Sequence, residues 1–241
     1  MKYLSAVLVF CLWSVNVQAG PAIHVGDFYD YLSGDKSNYL KRIFNGGTST
    51  AFVKISVTEM LYKPDGTYDE VPIKNQSDAL IASPARLIVP ATGMQNTRFV
   101  FMGERDRERY FRVRYLPVAP EKDDEFLATE EERKAYEDKI AGGVRVMAGY
   151  GTVFFVRPKD SRYDTRIENG GRNYTLRNAG NTVVVVDEFK DCSASNRTDC
   201  APTTKNHIFP GRVFSFEKQA GRVYRFHVVE GGTDRIVEVN G

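Results

Sequence analysis

Runs in which apolar and polar residues alternate fill most of the chain, and short clusters of turn-forming residues interrupt them. "YLKRIFNGGTST", "AFVKISVTEMLY", "ARLIVPATGMQNTRFVF" and "RYFRVRYLP" each set β-branched or aromatic residues against polar ones at a period of two, the pattern of strands covered on one face. "NGG", "PDGT" and "ATG" punctuate them, so the region from Ile23 to Tyr115 predicts an antiparallel sandwich. After "FFVRPKDSRYD" the pattern restarts with "YTLRNAGNTVVVVDEFKDC", "IFPGRVFSFEK" and "GRVYRFHVVEGGTDRIVEV". The proline after Arg157 and the polar "KDSRYD" mark the boundary. An all-β chain of two domains, residues 20–157 and 158–241, is the expectation.

Two stretches depart from this rhythm. "EKDDEFLATEEERKAYEDKI", Glu121 to Ile140, has helical composition but few apolar anchors, and predicts a solvated, mobile insertion that is helical in part. "GGVRVMAGYGTVFFVRP", Gly142 to Pro158, alternates in its first half and is apolar almost throughout its second. A strand buried on both faces reads as a continuous apolar run, whereas one covered on a single face alternates. Its first half therefore lacks a cover on one side.

The N-terminus "MKYLSAVLVFCLWSVNVQAGPAI" carries an early lysine, an apolar run from Leu4 to Val15 and small residues at Val17 and Ala19. This predicts a secretory signal, residues 1–19, cut after Ala19; the run is too short to span a bilayer, which needs about 20 apolar residues. Nothing downstream approaches a membrane span. Removal of Cys11 with the signal leaves Cys192 and Cys200 in "DCSASNRTDC", and export permits oxidation, so a disulfide is expected. By the loop-entropy estimate it contributes roughly 2.5 kcal/mol. Zinc is the other use of paired cysteines, but His24, His207 and His227 do not complete a ligand spacing. Lys plus Arg number 33 against 31 Asp plus Glu among 241 residues, so no global field selects nucleic acid or an acidic membrane.

No GxSxG, HExxH, CxxC or P-loop occurs. The three histidines have no serine or cysteine partner in a local motif, and the paired carboxylates Asp123 and Asp124 lie in the charged insertion. A non-enzymatic protein with no cofactor and no metal is the expectation.

Taken in order, "SPARLIVPATGMQNTRFVF", "RERYFRVRYLPV" and "TVFFVRP", with "LRNAGNTVVVV" and "IFPGRVFSF" behind them, resemble the periplasmic chaperones of the chaperone–usher pilus pathway, PapD-like proteins, and within them the alternative branch that serves the common-pilus type. The resemblance implies two immunoglobulin-like sandwich domains arranged at an angle. It implies a periplasmic chaperone that binds pilin subunits by donor-strand complementation and delivers them to an outer-membrane usher, with neither nucleic acid nor membrane insertion. Val144, Val146 and Ala148, with Tyr150 at the margin, would be the lent residues, and a subunit that lacks a strand has a groove and unpaired backbone groups that such a strand satisfies. The resemblance places Arg157 between Glu108 and Glu230 as an interdomain salt bridge. The basic pair that anchors a subunit's terminal carboxylate in the better-known branch falls near Tyr29 and Val153, neither of them basic. Arg112 and Arg114, alternating outward on the preceding strand, are the candidate replacements. The rivals are a pilus structural subunit or adhesin, which the mildly alternating "PAIHVGDFYDYL" allows, and a carbohydrate-binding module built on Tyr62, Tyr68 and Tyr163.

Overall fold

A computed structural model describes residues 20–120, 126, 129–140 and 148–241. The expected signal, residues 1–19, lies outside the described residues, as do Val144 and Val146.

The first half of the chain forms strands β1 (Ile23–His24), β2 (Tyr29–Leu32), β3 (Asn38–Asn45), β4 (Ala51–Tyr62), β5 (Tyr68–Pro72), β6 (Ala79–Ser83), β7 (Arg86–Val89), β8 (Met94–Met102), β9 (Arg109–Val118) and β10 (Tyr150–Val156), with helix α1 (Glu130–Ile140) between the last two. One sheet runs β1-β3-β8-β6 and the facing sheet β2-β10-β9-β4-β5, with β7 also on β4. The alternation read from the sequence is the alternation of burial. On β4, Ala51, Val53 and Ile55 enter the core with Phe99, Phe111, Val113 and Phe154, while Lys54 faces solvent. A buried ion pair ties the two sheets: Lys41 Nζ of β3 lies 2.8 Å from Asp30 of β2, and the Tyr39 hydroxyl donates to the same carboxylate at 2.7 Å. Burial, opposed by the Lys41 ammonium, leaves the Asp30 carboxyl above its ordinary range.

Strands β11 (Thr165–Asn169), β12 (Asn173–Asn178), β13 (Val184–Ser193), β14 (Thr204–Ile208), β15 (Val213–Glu217), β16 (Arg222–Glu230) and β17 (Thr233–Asn240) follow. They make sheets β11-β12-β15 and β14-β13-β16-β17 around Tyr174, Leu176, Val184, Val186, Phe226 and Val228. Cys192 and Cys200 form the expected disulfide. The molecule is thus all-β, two immunoglobulin-like sandwiches in series, and no described helix is long and apolar enough to cross a membrane.

The insertion departs from expectation. Phe126 and Tyr136 stand edge-on to Phe52 of β4, with ring centroids 5.6 and 5.2 Å away, and Ile88 and Val118 complete the cluster. α1 is therefore docked on the outer face of the sheet, which is why Phe52, on the side opposite Val53, is only 1% exposed. Thr129 and Glu132 start the helix with reciprocal bonds, the Glu132 amide to Thr129 Oγ1 at 3.1 Å and the Thr129 amide to Glu132 Oε2 at 2.8 Å.

Between the sandwiches the chain is pinned rather than loose. The Arg157 amide donates to the Leu32 carbonyl and the Lys159 amide to the Arg105 carbonyl, both at 3.0 Å. Gly34 lies so close beneath this crossing that a Cβ there would meet the Pro158 carbonyl oxygen at 2.3 Å and that of Lys159 at 2.8 Å, so only glycine fits.

Candidate binding edge and interdomain cleft

β10 pairs with β9 along its whole length, from Tyr150 opposite Tyr115 to Val156 opposite Arg109. Its other edge is taken by β2, in parallel, only from Val153 onward, where Val153 lies opposite Tyr29. Among the described residues no strand covers that edge of Tyr150, Gly151 and Thr152. Ala148 and Gly149, just upstream, are exposed. The change of character in "GGVRVMAGYGTVFFVRP" coincides with this step: Phe154 and Val156 enter the core of the first sandwich, and Phe155, on the opposite face, is buried against His207 and Phe209 of the second.

Arg112 and Arg114 share one carboxylate. Arg114 Nη2 lies 2.6 Å from Glu70 and Arg112 Nε 3.6 Å from it, while Arg112 also donates to the Tyr68 hydroxyl at 2.9 Å with its guanidinium over that ring. Two cations against one anion leave one positive charge on the outward face of β9.

The expected Glu108–Arg157–Glu230 bridge is not assembled. Among the described residues Arg157 makes no ion pair within 4.0 Å; its guanidinium lies 5.0 Å from the centre of the Tyr31 ring. The carboxylates are occupied elsewhere. Glu108 accepts from Thr182 Oγ1 at 2.7 Å and from the Val183 amide at 2.8 Å, both on the second sandwich, and from the Tyr110 hydroxyl at 2.9 Å. Glu230 accepts from Thr165 at 2.5 Å and lies 4.0 Å from Arg235. Glu108 is only 7% exposed, and burial pushes its carboxyl up to about 7 against the pull of these donors and of Arg157.

A ring cluster that sequence reasoning missed closes the rest of the interface. His207 of β14 stacks on Phe155, interplanar angle 14°, sits 4.2 Å from the Tyr29 ring and shares a 2.6 Å hydrogen bond with the Tyr31 hydroxyl through Nε2. Burial, aided by the Lys205 charge, pushes its imidazole down to about 4. Phe209 packs on Tyr62 at 4.3 Å and Tyr110 at 5.0 Å. Arg212 reaches across to the carbonyls of Lys63, at 2.6 Å, and Pro64. The only advance signal was aromatic density in "DFYDYL" and "NHIFPG", on two domains and without a local motif.

No protein-family model matches the chain. The "Probable fimbrial chaperone EcpB" of Escherichia coli O157:H7 is 27% identical over 216 residues, 88% of each chain, and that of Escherichia coli O1:K1 is 26% identical over the same span. Among solved structures the class 5 fimbriae chaperone CfaA superposes with a TM-score of 0.54 at 19% identity, covering 90% of this chain and 98% of its own. The CupB2 chaperone of Pseudomonas aeruginosa gives 0.55 at 13%, covering 89% and 98%. By sequence the chain resembles the common-pilus chaperones, and by fold the PapD-like chaperones of the chaperone–usher pathway.

Proposed function

We propose that the chain is a non-enzymatic periplasmic chaperone that captures pilin subunits by lending them the segment leading into β10, and then passes them to an outer-membrane usher. The observation that carries the reading is the uncovered edge of β10 upstream of Val153. An unpaired strand edge flanked by exposed residues invites aggregation unless another chain adds to it. A subunit that lacks a strand is the complementary object: it needs both the backbone partners and the apolar side chains. Val144, Val146 and Ala148 are assigned as those side chains, with Tyr150 at the margin, and Arg112 and Arg114 as polar contacts on the neighbouring strand. Residues 20–157 form the donor domain and 158–241 the second, after removal of a signal, residues 1–19. Release needs no nucleotide, because a neighbouring subunit's extension that packs better in the same groove displaces the lent strand.

Co-expression of the chain with a candidate pilin subunit, followed by affinity recovery, tests the reading. Val144→Asp with Val146→Asp should abolish recovery of pilin while the chaperone stays folded. Undiminished complex with that variant would place capture elsewhere.

A further inference from the structure

Thirty-one residues separate Val118, the end of β9, from Tyr150, the start of β10. α1 divides them, because it is held on the sheet and leaves nine residues between Ile140 and Tyr150. A helix of eleven residues needs that hold, since isolated helices shorter than about 12–15 residues are marginal in water. Its first turn gives little apolar support: Glu130, Glu131, Glu132 and Lys134 face solvent. The buried anchors are two rings, Tyr136 at 4% exposure and Phe126 at 7%. Both rest on Phe52, whose partner on β9 is Val118 and on β7 is Ile88.

This docking fixes where the segment leading into β10 begins. Val118 and Tyr115, the partner of Tyr150, lie three positions apart on one strand, roughly 10 Å. Ile140 follows Tyr136 by about one helical turn, roughly 6 Å. Both ends of the segment are therefore attached near the same stretch of β9. Nine residues reach roughly 30 Å when extended, so the segment can lie along another chain without lifting α1 from the sheet.

We propose that α1 is an anchor for the lent segment, and that Tyr136 and Phe126 are positioning residues for pilin capture. The inference rests on the strand-lending reading and adds what holds the lent segment to the sheet. A loop of nine residues tethered at both ends samples a smaller volume than one of thirty-one, and the local concentration of a tethered segment falls with about the −3/2 power of its length. The two lengths give the anchored chain an advantage on the order of sixfold in capture. No contact between α1 and the pilin is needed for it.

The test co-expresses a candidate pilin subunit with untagged wild type and a tagged variant in equal amounts, and compares the pilin carried by each. Tyr136→Ala should carry about sixfold less than its competitor, and Tyr136→Phe, which keeps the ring, an equal share. Hydrogen exchange on free Tyr136→Ala should show residues 130–140 unprotected while β4 and β9 keep their protection, which separates loss of the anchor from loss of the fold. If Tyr136→Ala does not fold, Phe126→Ala makes the same test. Replacing residues 121–140 by a four-residue Gly-Ser linker, with Phe52→Thr to keep the bared sheet soluble, shortens the connection without a helix and should bring capture to within about twofold of wild type. An equal share for Tyr136→Ala overturns the proposal. So does a linker chain that captures as poorly as Tyr136→Ala, which would mean that α1 itself touches the pilin. Wild-type chain that recovers no pilin at all would instead sink the strand-lending reading, and this inference with it.

Discussion

Glu108 belongs to the first sandwich, but two of its three hydrogen bonds come from the second. Such a buried carboxylate is held by neutral donors, and the nearest guanidinium acts on it only at a distance. Its folded value, about 7, lies above the ordinary carboxylate range. Its stabilising contribution is therefore whole below that range and is lost as pH rises through about 7. Glu108→Gln removes the titration while keeping an oxygen for one donor. Between about pH 5 and pH 8 the stability difference between wild type and Glu108→Gln should change by about 2–3 kcal/mol in favour of the variant, at about 1.36 kcal/mol per pKa unit. Denaturant unfolding at the two values measures it, and a difference that stays constant would mean that Glu108 does not titrate there. The resemblance led to the right glutamate for a different reason: it is a hydrogen-bond acceptor across the hinge, not a partner in an ion-pair fork.

The strands themselves were legible because each is its own evidence. "AFVKISVTEMLY" became β4 residue for residue, and "ARLIVPATGMQNTRFVF" was split into β7 and β8 at its proline–glycine turn. The docking of α1 was not legible. Its two anchors, Phe126 and Tyr136, lie ten positions apart with charged residues between them, so they form no 3.6-residue stripe. Phe52, their seat, looks like any strand residue until α1 covers it. The capping pair in "TEEE" could have placed the helix start, but no local pattern says what a helix rests on. Phe52→Ala should destabilise the protein by about 3–5 kcal/mol, the usual result of truncating a buried phenylalanine. It should also strip hydrogen-exchange protection from residues 130–140 under native conditions. Retained protection there would show that the helix is held by something other than the three rings.

Across the whole molecule the interface rests on two titratable groups of opposite sign. His207 is held among Tyr29, Tyr31 and Phe155, with Lys205 pushing its proton off and Asp187 of β13 weakly favouring it. Its folded value, about 4, lies below the ordinary histidine range. The stability it brings is therefore present above that range and is lost as pH falls through it toward 4, because a charged imidazole must leave the rings. Over the same interval Glu108 gains protons, which relieves the burial of its charge although it weakens the acceptor for Thr182 and Val183. Acid thus loosens the ring contact while it lowers the cost of burying Glu108. Small-angle scattering should show the free wild-type chain expanding below about pH 5 as the sandwiches part at the His207 side. His207→Phe keeps a ring against Phe155 and Tyr29 and has nothing to protonate, so it should stay compact over that range. Equal expansion of both would put the acid-sensitive contact elsewhere in the molecule, and the Tyr31–His207 bond would then be a passenger of the interface rather than its pH-dependent part.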